Sequence, residues 1–184
     1  MLVSYQTFKE KGACKPALDW FKATFDGGVE FDSVYPKITN YEWVHWLICH
    51  CNFAQTNKVL EHYKSLKPDI RNVSWLICDC SFAQTNEMLE YYKSLNPSIY
   101  DARWLICYCS FAQTDEMMKY FISLKPSYEN VSWLISNCDF AQTNEMLEHY
   151  KSLNPSYENV SWLIRDCKFV KEYFEINGIE PKEN

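Results

Sequence analysis

Glycine and basic runs are both scarce in this sequence. Only 4 of its 184 residues are glycine, so it has no glycine-rich loop of the kind that cradles phosphates. No run of lysine or arginine stands out either, and 18 basic against 24 acidic side chains leave a formal net charge of -6. Because nucleic-acid binding requires a basic patch, we expect no nucleic-acid partner.

Long apolar runs are also missing. No segment approaches the length needed to cross a bilayer, and the first five residues contain no basic stretch that leads into an apolar one. We therefore expect a soluble chain that is not exported and has no membrane partner. The apolar content of 47% is sufficient for a packed core, so disorder is not expected.

The residue pattern of a catalytic site is absent as well. The histidines have no recurring nucleophile and orienting acid beside them; they are His45, His50, His62 and His149. Glu87 and its equivalents recur once per repeat, at a first helical turn where the helix dipole favours a carboxylate. We predict a non-enzymatic protein that needs no cofactor.

What the chain does contain is a repeat. Five near-copies of a 29-residue unit fill it from about Trp46 onward. Each copy has a Trp-Leu-Ile triplet and a cysteine at a fixed offset: the triplets begin at Trp46, Trp75, Trp104, Trp133 and Trp162, and the cysteines are Cys51, Cys80, Cys109, Cys138 and Cys167. A unit this short buries its apolar face only against its neighbours, which predicts a solenoid.

Each unit is predicted to contain two helices. In the second unit, five residues at helical spacing share one face of a first helix: Val73, Leu76, Ile77, Cys80 and Ala83. Thr85 is expected to cap a second helix that Pro97 cannot continue. The link to the next unit is too short for a strand pair, so we predict an all-α array of helix-turn-helix repeats.

Both ends depart from the repeat. Residues 1–43 do not repeat, and Cys14 to Phe25 suit a helix with Pro16 near its first turn, so we assign 1–43 as an N-terminal capping segment. Four hairpins are expected over 44–159. Over 160–184, the Phe-Ala-Gln-Thr segment is replaced by one that begins at Phe169, and Gly178 leads into a polar tail. This last unit is predicted to be a C-terminal capping repeat.

The sequence contains nine cysteines. Register-matched cysteines of neighbouring repeats are expected at the spacing of packed helices, about 8–10 Å between axes. A disulfide needs Cα atoms closer than about 7 Å. We therefore expect free thiols and a reducing compartment, the cytoplasm.

The paired short helices, with an alanine before the inter-helix turn and Glu-Met-Leu-Glu-Tyr-Tyr-Lys-Ser-Leu after it, resemble shortened ankyrin repeats found in large viruses and amoebae. The resemblance covers about three quarters of the chain. It implies stacked helical hairpins.

The N-terminal part carries a second resemblance. Ala13-Cys14 with Ala17-Leu18-Asp19-Trp20, followed by Trp43 to Leu47, is similar to a pattern in small uncharacterised phage and bacterial proteins. This resemblance implies a phage or viral origin and carries no activity.

The tryptophan and cysteine columns recur in every unit and keep helical register with other apolar residues. We interpret both columns as core, because free cysteine behaves as a small buried hydrophobe. Residues two apart on a helix point in different directions, so Cys-x-Cys pairs such as Cys78/Cys80 are not expected to hold one ion. His45 and Cys49, with Cys78 nearby, are the better metal candidates, and a site around His45, Cys49 and His50 remains an alternative function.

The remaining signal is variation between the copies. In the first helix, the positions equivalent to residues 74, 78 and 81 are expected to share one narrow face, and the column equivalent to Asp79 lies beside it. Aligned variation on a uniform frame predicts a surface that binds a protein partner, such as a host factor, although neutral drift would give the same pattern. The predicted partner-binding residues are His50, Asp79, Arg103, Tyr108, Asn137, Asp139 and Arg165.

Overall fold

The computed structural model describes residues 1–176 and divides the chain into two compact units, Met1–Leu95 and Asn96–Asn184. Most of the described residues are helical, which confirms the predicted all-α class. The solenoid arrangement of ankyrin-like repeats stays a prediction. Across residues 1–176, none of the helices is long and apolar enough to cross a membrane.

The first unit begins with a non-repeating segment of two short helices and a small strand pair. Its elements are β1 (Leu2–Val3), α1 (Tyr5–Glu10), α2 (Lys15–Thr24) and β2 (Val29–Glu30). The predicted helix over Cys14 to Phe25 is confirmed as α2, which Cys14 precedes as N-cap. The antiparallel pairing of Leu2 with Glu30 and the helix α1 were not predicted.

The non-repeating segment packs on the first hairpin through aromatic rings. The Phe53 ring centre lies 4.9 Å from that of Phe31 and 6.3 Å from that of Phe8. The Trp20 and Trp43 ring centres are 5.9 Å apart. These contacts join the non-repeating segment to the first hairpin, and its role as a cap stays a prediction.

The repeats form helical hairpins in both units. The first unit contains α3 (Tyr41–His50) with α4 (Asn57–Ser65) and α5 (Ile70–Asp79) with α6 (Asn86–Ser94). The second contains α7 (Ile99–Tyr108) with α8 (Asp115–Ser123), α9 (Tyr128–Asn137) with α10 (Asn144–Ser152), and α11 (Tyr157–Asp166) with α12 (Lys168–Ile176). First helices pack side by side within a unit, α3 on α5, α7 on α9 and α9 on α11. The predicted borders at residues 43/44 and 159/160 fall inside α3 and α11.

The Phe-Ala-Gln-Thr segment forms the turn between the two helices of a hairpin. Its alanine is fully buried in a 3₁₀ turn, and its threonine caps the next helix, as Thr85 does by accepting from the Met88 amide at 3.2 Å. The glutamine closes the first helix: Gln55 Nε2 donates to the Ile48 carbonyl at 3.1 Å, and Gln113 repeats this bond to Ile106 at 3.2 Å. The threonine and these glutamines therefore satisfy helix ends.

A left-handed residue before a buried or half-buried proline ends each of the first four hairpins. The residues with positive φ are Lys67, Asn96, Lys125 and Asn154, at 52° to 55°. This conformation is a common helix terminator, and asparagine tolerates it better than lysine. The predicted role of Pro97 and its equivalents as stop signals is confirmed.

The last hairpin differs from the others. Because Phe-Val-Lys-Glu replaces Phe-Ala-Gln-Thr, α12 begins directly after Cys167 without a 3₁₀ turn, and Val170 and Phe174 are buried. The predicted Gly178 and polar tail lie outside the described residues.

The core consists of the predicted face of the first helix and the inner face of the second. Val73, Leu76, Ile77 and the cysteine column are buried, which confirms this part of the core assignment. The assignment of the tryptophan column to the core was wrong. Trp75 is 43% exposed and Trp162 is 55% exposed, and the other three tryptophans are half-buried.

Candidate protein-binding surface

The first helix of each hairpin carries an exposed or half-buried tryptophan and, four positions later, an exposed residue. Residues at this spacing lie one above the other on a helix. We call these pairs the tryptophan face: Trp46 and His50, Trp75 and Asp79, Trp104 and Tyr108, Trp133 and Asn137, Trp162 and Asp166. The tryptophan is constant from repeat to repeat, and its neighbour varies.

In two of these pairs the aromatic rings contact each other directly. The His50 ring stacks on Trp46 with the ring centres 5.3 Å apart, and His50 Nδ1 donates to the Trp46 carbonyl at 2.9 Å. Tyr108 is 63% exposed and lies 5.4 Å from Trp104, centre to centre. These contacts hold large rings in fixed positions at the surface.

The expected grouping of positions 74, 78 and 81 on one exposed face was wrong. Ser74 is only 3% exposed and donates to the Ile70 carbonyl at 2.9 Å. Position 81 lies in the 3₁₀ turn, where Asp139 is exposed and accepts from Gln142 at 3.3 Å. Of the predicted columns, those equivalent to Asp79 and to Ser81 are exposed throughout, and the one equivalent to Asp79 lies on the first helix.

The structure places the predicted partner-binding residues in three environments: on the tryptophan face, at other exposed positions, and in a half-buried position between helices. Those on the tryptophan face are His50, Asp79, Tyr108 and Asn137, all exposed. Asp139 lies in a turn, and Arg165 is an exposed neighbour of Trp162 that forms an ion pair with Asp166 at 2.8 Å. Arg103 is half-buried.

Arg103 occupies the space between α7 and α9. Its guanidinium carbon lies 3.8 Å from the Trp133 ring centre and 5.1 Å from that of Tyr100. Its Nη1 donates to Asn130 Oδ1 at 3.4 Å. Arg103 is thus held by two aromatic rings and one amide, a role that its position in the sequence did not reveal.

A groove of about 500 Å³ lies between α9 and α11. Its walls include Trp133 and Trp162, and its lining carries three carboxylates, of Glu129, Glu158 and Asp166, and no lysine or arginine. The groove therefore combines aromatic surface with negative charge. Sequence reasoning missed it, because the tryptophans were assigned to the core.

The metal candidates are not arranged as a ligand set. Within residues 1–176, no group of three or more His, Cys, Asp or Glu side chains could hold a metal ion. Burial lowers the pKa of His45 and raises the pKa of Cys49 to about 12, which disfavours the thiolate that a metal needs. His50 is stacked on Trp46 instead.

All nine cysteines are free, as predicted. Thiols meet across neighbouring hairpins in an offset register: Cys49 interacts with Cys80, and Cys107 with Cys138. The Cys80 thiol also lies 3.6 Å from the Ile48 carbonyl oxygen. The hydrogen bond with Cys138, together with burial, raises the pKa of Cys107. The sequence argument compared only cysteines in matched register and therefore missed these pairs.

Comparison with known proteins gives no relative for this arrangement. No protein-family model matches the chain, and neither a curated protein nor a solved structure matches it. The surface must therefore be interpreted from its own chemistry.

Proposed function

We propose that this chain is a non-enzymatic protein-binding scaffold and that the tryptophan face is its contact surface. The observation that carries the proposal is the exposure of large aromatic rings on three of the first helices, α5, α7 and α11. Trp75 and Trp162 are 43% and 55% exposed, and Tyr108 is 63% exposed. Tryptophan, tyrosine and arginine contribute a disproportionate share of the binding energy at protein interfaces.

The arrangement of constant and variable residues supports the same proposal. A constant tryptophan supplies apolar contact area in each repeat, and the variable residue beside it is His50, Asp79, Tyr108, Asn137 or Asp166. Varying the polar neighbour changes the specificity of a site without altering its apolar anchor. A set of repeats with this design is suited to a long partner surface.

The proposal includes the predicted ankyrin-like solenoid and a cytoplasmic location. The N-terminal resemblance to small phage proteins extends it to a phage or viral protein that engages a host factor. In this proposal the partner is a protein, and neither nucleic acid nor a membrane takes part.

A capture experiment with surface variants tests the function. Wild-type protein and a Trp75→Ala, Tyr108→Ala variant would be used as bait in lysate of cells that naturally contain the protein. We expect the double variant to lose the captured partner. The binding free energy should weaken by at least about 2 kcal/mol, because both residues are interface anchors.

The matched control is Glu90→Ala with Lys93→Ala on α6. These two residues lie on the second helix and pair with each other at 2.8 Å. The control should capture the partner like the wild type. If the control loses the partner and the Trp75, Tyr108 variant keeps it, the contact surface lies on the second helices and the proposal is wrong.

A further inference from the structure

The space between α7 and α9 shows how this fold binds a guanidinium. Arg103 lies against Trp133 at 3.8 Å and against Tyr100 at 5.1 Å, and it donates to Asn130 at 3.4 Å. A planar guanidinium stacks well on aromatic faces and keeps its N–H groups for acceptors at the edge. The chain thus contains a complete arginine-binding arrangement, filled by its own side chain.

The next space, between α9 and α11, repeats the tryptophan and asparagine of this arrangement without the arginine. One repeat later along the chain, Trp162 stands at the position of Trp133, and Asn159 at that of Asn130. Ser132 stands at the position of Arg103. The smaller side chain of serine leaves open the groove of about 500 Å³ that Trp133, Asn159 and Trp162 line.

The two asparagines are held alike. Asn130 Nδ2 donates to Ser127 Oγ at 3.0 Å, and Asn159 Nδ2 donates to Ser156 Oγ at 2.7 Å. The acceptor that serves Arg103 therefore has a counterpart in the open groove.

The open groove has a carboxylate where the filled space has the ring of Tyr100. Glu129 stands at the position of Tyr100, and Glu158 lies at the corresponding position one repeat later. Ser127 Oγ donates to Glu129 Oε2 at 2.5 Å, and this bond lowers the pKa of Glu129 and keeps it ionised. Two carboxylates thus face a groove whose lining contains no basic residue.

The third carboxylate of the groove is already paired. Asp166 accepts from Arg165, whose guanidinium carbon lies 4.3 Å from the Trp162 ring centre. Arg165 itself does not line the groove, and its side chain is 62% exposed. Because Asp166 is paired with Arg165, the carboxylates available to a ligand are those of Glu129 and Glu158.

We propose that the α9–α11 groove binds an arginine side chain of the partner protein, between Trp133 and Trp162, in the manner in which Trp133 and Asn130 bind Arg103. This inference rests on the proposed function as a protein-binding scaffold and names the chemistry of one contact. The occupant is a guanidinium, because the groove offers aromatic rings for stacking, the Asn159 amide for hydrogen bonding and carboxylates for its positive charge.

The test uses a defined probe, the blocked tripeptide acetyl-Gly-Arg-Gly-amide, and a matched peptide with citrulline in place of arginine. Citrulline keeps the shape and loses the charge. Binding would be followed by the indole N–H signals of the protein in NMR, assigned with single Trp→Phe variants. We expect saturable shifts of the Trp133 and Trp162 signals with the arginine peptide, and binding weaker by about tenfold with citrulline.

Two substitutions at equivalent positions provide the matched pair. Ser132→Arg should fill the groove as Arg103 fills the space before it, and it should abolish binding of the peptide. Ser161→Arg places the same residue one repeat later, where it does not line the groove, and it should leave binding unchanged. Should Ser132→Arg fail to fold, the Glu129→Gln, Glu158→Gln variant replaces it and should weaken binding about tenfold.

The inference is overturned if the peptide causes no saturable shift, if citrulline binds equally well, or if Ser132→Arg folds and binds like the wild type. Neither Trp75 nor Tyr108 lines the groove, so the capture experiment is independent of it. Loss of peptide binding with intact capture through Trp75 and Tyr108 would refute the arginine site alone. If the groove binds the peptide but Trp75→Ala with Tyr108→Ala leaves capture of the partner unchanged, the tryptophan face alone is refuted as the contact surface.

Discussion

The guanidinium of Arg103 stacks on the ring of Trp133, and the two residues belong to different repeats. The stacking is shielded from solvent, since both residues are half-buried. Arg103→Ala should therefore lower the free energy of unfolding by about 1–2 kcal/mol, more than an exposed substitution would. Chemical denaturation of the purified variant measures this loss.

Arg165 provides the control for that prediction. It also stacks on a tryptophan, Trp162, at 4.3 Å, but both side chains are exposed. Arg165→Ala should change stability by less than about 0.5 kcal/mol. Equal effects of the two substitutions would show that the Arg103 stacking contributes nothing beyond an ordinary surface contact.

Trp75 and Leu76 are adjacent in α5 and differ in burial. Trp75 is 43% exposed, and Leu76 is fully buried. Leu76→Ala should cost about 2–5 kcal/mol by opening a cavity, whereas Trp75→Ala should cost less than about 1 kcal/mol. Urea unfolding of both variants compares them, and a larger loss for Trp75→Ala would return the tryptophan column to the core.

Phe121 occupies the place in α8 that tyrosine has in the other complete hairpins. The hydroxyls of Tyr63 and Tyr150 are buried without a hydrogen-bond partner in the described part of the chain. Tyr150→Phe should therefore leave stability unchanged or raise it slightly, and Phe121→Tyr should lower it by about 1–3 kcal/mol, the cost of burying an unpaired hydroxyl. Thermal unfolding of the two variants tests this. A clear loss with Tyr150→Phe would mean that the hydroxyl is hydrogen-bonded, for instance to a buried water.

Buried thiols make stability depend on alkaline pH. Burial raises the pKa of Cys51 from an ordinary value of 9.0 to about 11. The pKa of Cys51 is thus higher in the folded protein than in the unfolded chain. The contribution of the protonated Cys51 thiol to stability is therefore fully present below pH 9 and is lost as the pH rises to about 11. In this window Cys51 should reduce the free energy of unfolding by about 1.4 kcal/mol per pH unit.

The measurement compares wild type with Cys51→Ala, unfolded by urea at several pH values between 8 and 11 under reducing conditions. The variant should have the shallower pH dependence. Parallel curves would contradict the assignment of Cys51 as a thiol that stays protonated in the fold.

The helical hairpins could be predicted from the sequence because their signals are local. Val73, Leu76 and Ile77 follow the helical period, and Thr85 and Pro97 mark the ends of the second helix. The pairing of Leu2 with Glu30 could not be predicted in this way. It depends on how two short segments 28 residues apart in the sequence meet in the fold.

The candidate site was only partly accessible to sequence reasoning. Repetition of Trp75 in every unit was interpreted as burial, but a duplicated unit copies its exposed residues as faithfully as its core. The variable column containing Asp79 and Tyr108 was found, because variation at aligned positions is visible in the sequence. The relation of Ser132 to Arg103 became meaningful only when the structure placed Arg103 against Trp133.

Site-specific photo-cross-linking tests the central claim most directly. A photoreactive phenylalanine analogue would replace Tyr108 on the tryptophan face or Glu90 on the second helix, in cells that naturally contain the protein. Both positions are exposed. The account predicts a discrete cross-linked partner protein from position 108, lost when Trp75→Ala and Trp104→Ala are added, and none from position 90. A partner cross-linked from position 90 and none from position 108 would contradict it.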